Sequence, residues 1–392
     1  MSGGVDSSVT LRLLAELDLN LSVLFMHNWD PLLSESSPPS SSSSSVFSLA
    51  YPSQSNSSAT PNLSPCQWQL DFRDVQRVAS HVGIPSQDIR MVDLTKEYWN
   101  SVFEPALSVW QTGGTPNPDV GCNREVKFGA LMSHLPSPSH YLATGHYGRI
   151  SRSASSTKLL RSKDMNKDQT YYLSSVPENQ LKRAVFPLAD IPKPRVRELA
   201  RHFALPTAER EESMGVCFIG ERGRFGNFIS QYTAPPTTQG YLVTTDGTRL
   251  RPHDGLWHLT IGQRARVGGL NDRWFVARKG VGSGQDVLVV PGFHHPALQC
   301  TSLTTRDFNW IHDLPPVQAL EREGLEVSIQ VRHRMPPVRG VICASLSSNG
   351  VMVKFNDPLT AVSPGQVVAV WDGEWCLGSG EIVETQCLGE QW

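Results

Sequence analysis

Residues 2–8 read Ser2-Gly3-Gly4-Val5-Asp6-Ser7-Ser8 and lead into a segment, 9–17, whose apolar residues have helical spacing. Adjacent glycines let a backbone approach a phosphate closely, and serine hydroxyls and the N–H groups of a helix N-terminus donate to its oxygens. The chain has no Gly-x-x-x-x-Gly-Lys-Ser/Thr sequence, so this is not a Walker-type loop. A Gly-Ser turn that only caps a helix is the simpler alternative. The stretch predicts a phosphate-binding loop at the start of an α/β domain.

The first half of the chain alternates strand and helix patterns. This alternation predicts an α/β domain with a doubly wound parallel sheet over residues 1–205. Residues 34–64 interrupt it, because fifteen of these thirty-one residues are serine and only Glu35 is charged. Such a segment predicts a disordered surface insertion. The strand patterns lie at 21–26, 89–92 and 141–144, and the helical patterns at 68–82, 97–111 and 128–134.

The second half of the chain consists of short β-rich runs separated by Gly, Pro and Asn-Asp turns. We predict from them a small central domain over 206–290 and a C-terminal β-barrel over 291–392. The runs lie at 240–250, 256–261, 274–277, 287–290, 326–331, 340–344, 351–355 and 367–370.

Composition limits the function classes. The 392 residues are 39% hydrophobic and contain no run of about eighteen apolar residues, so we expect no membrane-spanning helix and no membrane partner. The formal net charge is only -2, yet residues 149–201 hold twelve Lys and Arg against five Asp and Glu. This basic stretch is either a solvated helix face or a contact surface for a polyanion.

Two cysteines stand in distinctive surroundings. The seven cysteines form no Cys-x-x-Cys pair, which predicts neither a disulfide framework nor a structural zinc site and favours a reducing compartment. Cys122 follows a loop that two prolines stiffen, and we expect it near a helix start. With Arg124 and Lys127 close in sequence, its thiol is expected to have a lowered pKa, as a nucleophile needs. An ordinary buried Cys is the alternative.

Cys217 lies in the second such motif. Its stretch, 214–222, reads Met-Gly-Val-Cys-Phe-Ile-Gly-Glu-Arg, with glycine on both sides of the thiol. Glycines permit close approach of another group, and a Cys on a mobile loop can carry sulfur to a distant site. A buried structural Cys is equally compatible with this stretch alone.

Taken in order and spacing, these motifs resemble the tRNA-specific 2-thiouridylase family (MnmA/TRMU-like), bacterial MnmA and its mitochondrial counterparts. The resemblance extends from Met1 to about Cys387, apart from the serine-rich insertion, and the phosphate-binding loop resembles that of the ATP pyrophosphatase (PP-loop) enzymes. The matching stretches are 2–8, 24–29, 115–128, 143–147, 167–169, 215–222 and 363–366.

The resemblance implies an ATP-dependent sulfur transfer to tRNA. ATP, with Mg²⁺, would bind at residues 2–8 with Met26 and Gly145 near the adenosine, and the C2 oxygen of the wobble uridine, position 34, would be adenylated. A persulfide on Cys217 would then replace that oxygen to give 2-thiouridine. Cys122 would resolve the persulfide, which leaves a Cys122–Cys217 disulfide, and Asp119 is the candidate proton-transfer group.

The resemblance also implies the RNA contacts and partners. The substrates would be the wobble-uridine tRNAs for Lys, Glu and Gln, and a cysteine desulfurase would feed the persulfide donor. The target base is expected to leave its stack and enter the Cys122 pocket. It would touch Asn117, Pro118 and Asp119, and the rest of the tRNA would touch His146, Lys167, Asp168, Gln169, Arg332, His333 and Gln366.

The chain departs from the family pattern at its start. Family members have an apolar strand before the loop, whereas Met1 here directly precedes Ser2. A misplaced start in the gene model is the interpretation we favour, and a degenerate protein is the alternative. The low-complexity insertion favours the mitochondrial branch, so mitochondrial localisation is predicted by resemblance without a targeting peptide in this sequence.

Two other functions compete with the enzyme hypothesis. One is a truncated, catalytically silent tRNA-binding homologue. The other is a different PP-loop ATP pyrophosphatase that acts on a small acid, and it gives no reason for the motifs around Cys122 and Cys217.

Overall fold

A computed structural model describes residues 1–30, 66–212, 225–268, 272–282, 284–312, 320–321, 324–345 and 349–389. The insertion predicted at 34–64 and the predicted persulfide carrier Cys217 lie outside the described residues. None of the helices in the described part of the chain is long and apolar enough to cross a membrane.

Helices dominate the N-terminal part. The helix predicted at 68–82 is confirmed: a hydrogen bond from the Cys66 N–H to the Gln69 side chain caps its start, and Gly83, with φ of 92°, ends it. The described helices are α1 (Val5–Ala15), α2 (Gln67–Val82), α3 (Thr95–Tyr98), α4 (Glu104–Gln111), α5 (Pro118–Gly121), α6 (Leu131–Ser133), α7 (Thr170–Leu173), α8 (Glu178–Leu181), α9 (Lys193–His202) and α10 (Phe225–Ile229). π-Helical turns Trp99–Phe103 and Cys122–Ala130 join α3 to α4 and α5 to α6, and 3₁₀ turns lie at Ser86–Asp88, Leu256–His258 and Pro296–Leu298.

Parallel strands form the centre of this α/β domain, as predicted. β1 (Val23–His27) pairs in parallel with β2 (Ile89–Asp93), and β3 (Leu142–Ala143) pairs in parallel with β6 (Ala184–Val185). They form two separate two-stranded sheets. Helices α1 and α2 cover β1, and apolar residues from all three elements share one buried cluster. The turn that follows β3 carries the predicted nucleotide contact Gly145.

The central part is a five-stranded sheet with the order β8-β7-β11-β10-β9. The strand predicted at 256–261 is wrong, because Leu256–His258 forms a 3₁₀ turn whose Leu256 and Trp257 side chains are buried. Apolar residues in a buried turn imitate a short strand when only their spacing is read. The strands are β7 (Gly240–Val243), β8 (Arg249–His253), β9 (Arg264–Ala265), β10 (Trp274–Val281) and β11 (Asp286–Pro291).

The C-terminal part is a closed barrel, as predicted. Its strands follow the order β12-β15-β14-β13-β16-β17, and pairing of β12 with β17 closes it. The two closing strands were not predicted from the sequence. The strands are β12 (Gln299–Trp310), β13 (Leu325–Gln330), β14 (Val338–Ala344), β15 (Val351–Thr360), β16 (Val367–Asp372) and β17 (Trp375–Cys387).

A hairpin from the N-terminal part joins the barrel sheet. It consists of β4 (Arg149–Arg152) and β5 (Thr157–Leu160), and Leu160 pairs with Trp375 of β17. The buried Trp371 of β16 belongs to the same apolar cluster as Phe103 and Phe128 of the N-terminal helices. The barrel is therefore packed directly against the domain that carries the phosphate-binding loop.

Candidate functional site

The loop at residues 2–8 surrounds the N-terminus of α1. Gly3 has φ of 77°, and a Cβ there would lie 2.8 Å from the carbonyl oxygen of Asp71, so the position requires glycine. The Ser7 and Ser8 hydroxyls donate to one carbonyl oxygen of the loop, that of Gly4, at 3.0 and 2.9 Å. The N–H groups in the first turn of a helix have no acceptor within the helix, and they bind anions together with the helix dipole. This geometry suits a phosphate group.

Two consecutive residues connect this loop to the helical stretch that begins with Cys122. A Cβ at Gly145 would lie 2.9 Å from the backbone nitrogen of Ser7, so the turn after β3 lies directly on the first turn of α1. The next residue, His146, has its Nε2 3.3 Å from the Nζ of Lys127. Burial, together with the nearby Lys127 charge, lowers the pKa of His146 well below its ordinary value, so the ring is neutral.

Asp6 occupies the second position of α1 and has strong partners. Its two carboxylate oxygens lie 2.6 and 2.7 Å from the Nζ of Lys193, whose side chain is only 9% exposed. The Tyr147 hydroxyl donates to the same carboxylate at 2.8 Å. Burial and the Asp6 charge raise the pKa of Tyr147 above its ordinary value. Met26, the remaining predicted nucleotide contact, is half-buried in β1 and packs against the apolar core.

The proline-framed loop leads into α5. The expectation of a helix start near Cys122 is wrong, because α5 begins at Pro118, and proline is pre-organised for the first helical position. Asn117 is the last residue before the helix. Cys122 lies one turn inside it, its N–H donates to the Pro118 carbonyl oxygen, and 5% of the residue is exposed. Its thiol is therefore not at the helix N-terminus.

Asp119, in the first turn of α5, has the electrostatics of a proton-transfer group. Burial raises the pKa of its carboxyl group, and the Lys127 charge acts in the opposite direction. The Lys127 Nζ donates to the Asn123 side chain at 3.0 Å, and Asn123 donates to the Asp119 carbonyl oxygen at 2.9 Å. Burial and the Asp119 charge raise the pKa of Tyr172 to about 12. Asp119 thus lies in a partly desolvated pocket with one cation nearby.

All three parts of the chain meet at the proline-framed loop. Gln366 of the barrel donates from its side chain to the Thr115 carbonyl oxygen at 2.6 Å. Lys279 of β10 donates to the Leu259 carbonyl oxygen at 2.8 Å, and its Nζ lies 3.4 Å from the Gly114 carbonyl oxygen. Burial lowers the pKa of Lys279 to about 8. The barrel and the central sheet therefore both hold the loop that carries Asp119.

Residues 167–169, predicted to contact tRNA, are connected to the phosphate-binding loop. The Lys167 Nζ lies 2.7 and 3.1 Å from the carboxylate oxygens of Glu212. Gln169 exchanges hydrogen bonds with Tyr147: its N–H donates to the Tyr147 carbonyl oxygen at 2.8 Å, and its side chain accepts from the Tyr147 N–H at 3.0 Å.

Asp168 is held inside the protein. Its side chain is 6% exposed, and its carboxylate lies 3.1 Å from the guanidinium of Arg161. Arg161 also donates to Gln330 of the barrel at 2.9 Å and lies 3.9 Å above the Trp371 ring. The geometry gives Asp168 the role of fixing the 167–169 loop against the barrel. Direct contact with tRNA stays a prediction.

The barrel also carries Arg332 and His333, two further residues predicted to contact tRNA. Arg332 is exposed and donates to the Thr360 carbonyl oxygen at 2.9 Å. The His333 ring packs against Tyr172, with centroids 4.4 Å apart, and burial lowers its pKa. His333 therefore packs on Tyr172, the ring whose pKa the Asp119 charge raises.

Four residues of this site were missed by sequence reasoning: Lys193, Glu212, Tyr172 and Lys279. The contacts of each residue within the site are to residues distant in sequence. A single Lys or Glu between prolines or in a loop belongs to no local sequence pattern that indicates a functional residue. The described residues contain no group of three or more His, Cys, Asp and Glu arranged as metal ligands.

Comparison with protein families assigns each part of the chain. A family model described as "tRNA methyl transferase HUP domain" matches residues 43–221. One described as "tRNA methyl transferase PRC-barrel domain" matches 226–290, and one described as "Aminomethyltransferase beta-barrel domain" matches 300–382. The HUP domain, together with the phosphate-binding loop that precedes the matched region, indicates the use of ATP.

Comparison with curated proteins finds relatives of nearly the same length. A tRNA-specific 2-thiouridylase MnmA of Streptococcus mutans is 38% identical, over 97% of this chain and 93% of the relative. The protein of the same name from Bacillus pumilus is 39% identical with the same coverage. A tRNA-specific 2-thiouridylase MnmA 2 of Geobacillus kaustophilus is 38% identical over 100% of this chain and 95% of the relative.

Proposed function

Because this chain belongs to the tRNA-specific 2-thiouridylase family, we propose that it is an ATP-dependent tRNA-uridine 2-sulfurtransferase. It converts the wobble uridine, position 34, to 2-thiouridine. The observation that carries this proposal is the continuity of the site: Gly145 touches the phosphate-binding loop, and His146 contacts Lys127, five residues after Cys122. The turn at Gly145 and His146 thereby joins the phosphate-binding loop to the helical stretch that begins with Cys122.

ATP is a substrate of the proposed reaction, and the loop at residues 2–8 binds it. The uridine O2 attacks the α-phosphorus, the bond to the β-phosphate oxygen breaks, and pyrophosphate leaves. A carbonyl oxygen is a poor leaving group, whereas AMP is a good one, so this activation comes first. Asp119 takes the uridine N3 proton, which suits a carboxyl group whose pKa is raised by burial.

Sulfur transfer then proceeds through the two cysteines. The terminal sulfur of a Cys217 persulfide attacks C2, and the C2–O bond breaks with departure of AMP. The Cys122 thiolate attacks the Sγ of Cys217, the sulfur–sulfur bond of the persulfide breaks, and the sulfur stays on C2. A Cys122–Cys217 disulfide remains, which a dithiol reductant returns to two thiols.

Mg²⁺ would enter with ATP and neutralise phosphate charge. Magnesium commonly takes one carboxylate together with phosphate oxygens and water, and Asp6 fits that role at this loop. Both Asp6 oxygens now contact Lys193, so Asp6 would hold Mg²⁺ only after Lys193 has moved away.

The finer assignments are part of the same proposal. The substrates are the tRNAs for Lys, Glu and Gln, a cysteine desulfurase feeds the persulfide donor, and the protein works in mitochondria. Expression of a tagged protein with organelle fractionation checks the location. The wobble nucleosides of organellar tRNA, with and without the gene, check the tRNA set.

Reconstitution tests the reaction. Purified protein with ATP, Mg²⁺, a persulfide donor and unmodified tRNA is expected to form 2-thiouridine, and both Cys217→Ser and Cys122→Ser are expected to abolish it. Cys343→Ser serves as the control, because Cys343 lies in β14 of the barrel. Thiolation that persists in Cys217→Ser would contradict the cysteine roles. Pyrophosphate release without tRNA would favour an enzyme that adenylates a small acid.

A further inference from the structure

Four side chains of alternating charge connect the residue predicted to contact RNA with the phosphate-binding loop. Lys167 pairs with Glu212 at 2.7 Å, Glu212 lies 3.4 Å from the Nζ of Lys193, and Lys193 contacts both oxygens of Asp6. Lys193 is 7% exposed, so its ammonium group depends on these two carboxylates rather than on water. Lys193 therefore has two anionic partners, one at each end of the site.

Glu212 is currently held more closely by Lys167 than by Lys193. Both Glu212 oxygens lie within 3.1 Å of the Lys167 Nζ, and hydrogen bonding to Lys167 is the largest cause that lowers the pKa of Glu212. Arg197, the other cation near Glu212, is 3.9 Å away and donates to the backbone oxygens of Ala208 and Arg210. The position of Lys193 between Asp6 and Glu212 therefore depends on what Lys167 binds.

We propose that Lys193 and Glu212 are positioning residues that couple tRNA binding at Lys167 to Mg²⁺-nucleotide binding at Asp6. The inference rests on the proposed function. When an RNA phosphate takes Lys167, Glu212 loses its closest cation and attracts Lys193. The Lys193 ammonium then moves off Asp6, and the Asp6 oxygens become available to Mg²⁺. Each ligand thereby raises the affinity for the other, as linkage requires.

A second route supports the same coupling. Gln169, also a predicted tRNA contact, makes two hydrogen bonds with Tyr147, one between backbone groups and one in which its side chain accepts from the Tyr147 N–H. The Tyr147 hydroxyl in turn donates to Asp6. In addition, the N–H of Lys193 donates to Asp164 at 2.9 Å, which fixes the start of α9 beside the loop that carries Lys167. The RNA-contact loop and Asp6 are thus parts of one polar network.

The test is the dissociation constant of α,β-methylene-ATP with Mg²⁺, measured by titration calorimetry with and without an unmodified tRNA transcript for Lys. The wild type is expected to bind the nucleotide about tenfold more tightly with tRNA. Glu212→Gln removes the alternative partner of Lys193, so the affinity should stay at its weaker, tRNA-free value. Lys167→Gln frees Glu212 permanently, so the affinity without tRNA should rise to the tRNA-bound value.

Glu209→Gln is the matched control. Glu209 lies three residues before Glu212 and pairs with Arg201 at 2.7 Å, where both side chains are more than half exposed. Its variant should keep the wild-type coupling. Equal coupling in the wild type and in Glu212→Gln, or no coupling in the wild type, would overturn the inference, as would coupling that persists unchanged in EDTA.

The coupling inference and the proposed function can be refuted by different experiments. Absence of 2-thiouridine with the wild type would refute the proposed function, whereas nucleotide binding still decides the coupling. A structural role for Glu212 alone would lower thermal stability but could not raise the tRNA-free affinity in Lys167→Gln.

Discussion

Asp119 is subject to two opposing electrostatic effects. Burial favours its protonated form and raises its pKa, while the Lys127 charge favours the carboxylate. A base must be ionised to accept a proton, so the activity should rise with pH as the Asp119 carboxyl group loses its proton. Burial therefore moves the working pH range of the proposed base upward, and Lys127 extends that range back toward lower pH.

Lys127→Met is expected to move the acidic limb of the kcat/KM profile to higher pH, because loss of the cation leaves burial unopposed. Single-turnover thiolation from pH 5 to 9 checks it. Lys163→Met is the control, since Lys163 is exposed and pairs with Asp190 at the surface. An unchanged limb in Lys127→Met would mean that Asp119 is not the titrating base.

Asp119→Asn should lower kcat by about 10²- to 10⁴-fold.

At the level of elements, the turn after β3 fixes the first turn of α1. A Cβ at Gly145 would lie 2.9 Å from two backbone atoms, the Asp6 carbonyl carbon and the Ser7 nitrogen. Backbone cannot rotate away as a side chain can, so the turn or the loop has to shift.

Gly145→Ala is expected to raise the KM for ATP at least about tenfold, since displaced donors lose charge-assisted hydrogen bonds of about 1.5–3 kcal/mol. Steady-state kinetics with ATP as the varied substrate measures this. Gly268→Ala is the control, because a Cβ at Gly268 meets no atom within 4 Å. A wild-type KM in Gly145→Ala would show that the loop tolerates displacement.

Helices and strands could be predicted from the sequence where the residues that determine them are close together in the chain. Helix α2 was predicted because its apolar spacing and the Gly83 stop are both local. Strands β12 and β17 were missed, since Ser, Thr and Gly interrupt their apolar pattern and their main partner is each other. The phosphate-binding loop and the two cysteine motifs were predicted from their own residues, and the adenosine and tRNA contacts from the resemblance. The ion pairs of Lys193 and Glu212 were not, because long-range packing creates them.

At the scale of the whole molecule, three parts of the chain converge on one loop. Gln366 binds the Thr115 carbonyl oxygen from the barrel, and Lys279 approaches Gly114 from the central sheet. Displacement of either part would move Asp119 without touching it. The effect of Gln366 on catalysis therefore includes loop positioning as well as the predicted tRNA contact.

Lys279 makes stability depend on pH in the alkaline range. Its folded pKa of about 8 lies below the ordinary value of 10.5, so the unfolded chain binds more protons between these values. The contribution of Lys279 to the free energy of unfolding should therefore rise from pH 8 to about 10.5. Relative to Lys279→Met, the wild type should gain at most about 1.4 kcal/mol per pH unit.

Denaturant unfolding of both proteins at pH 7.5 and 9.5 measures this difference, and other titrating groups cancel in the comparison. A gap between wild type and variant that stays constant with pH would contradict the buried ammonium group. A variant that becomes more stable relative to the wild type at high pH would show that the pKa of Lys279 is raised on folding rather than lowered.

The pairing of Leu160 with Trp375 also has a consequence for synthesis. The hairpin β4–β5 leaves the ribosome early, whereas β17 follows roughly two hundred residues later, which takes about 10–40 seconds at ordinary translation rates. During that interval the backbone donors and acceptors at the edge of β5 have no partner strand, and an unpaired edge is a template for association with other chains. The N-terminal part of a nascent chain thus completes its sheet only when β17, the last of the described strands, has been made.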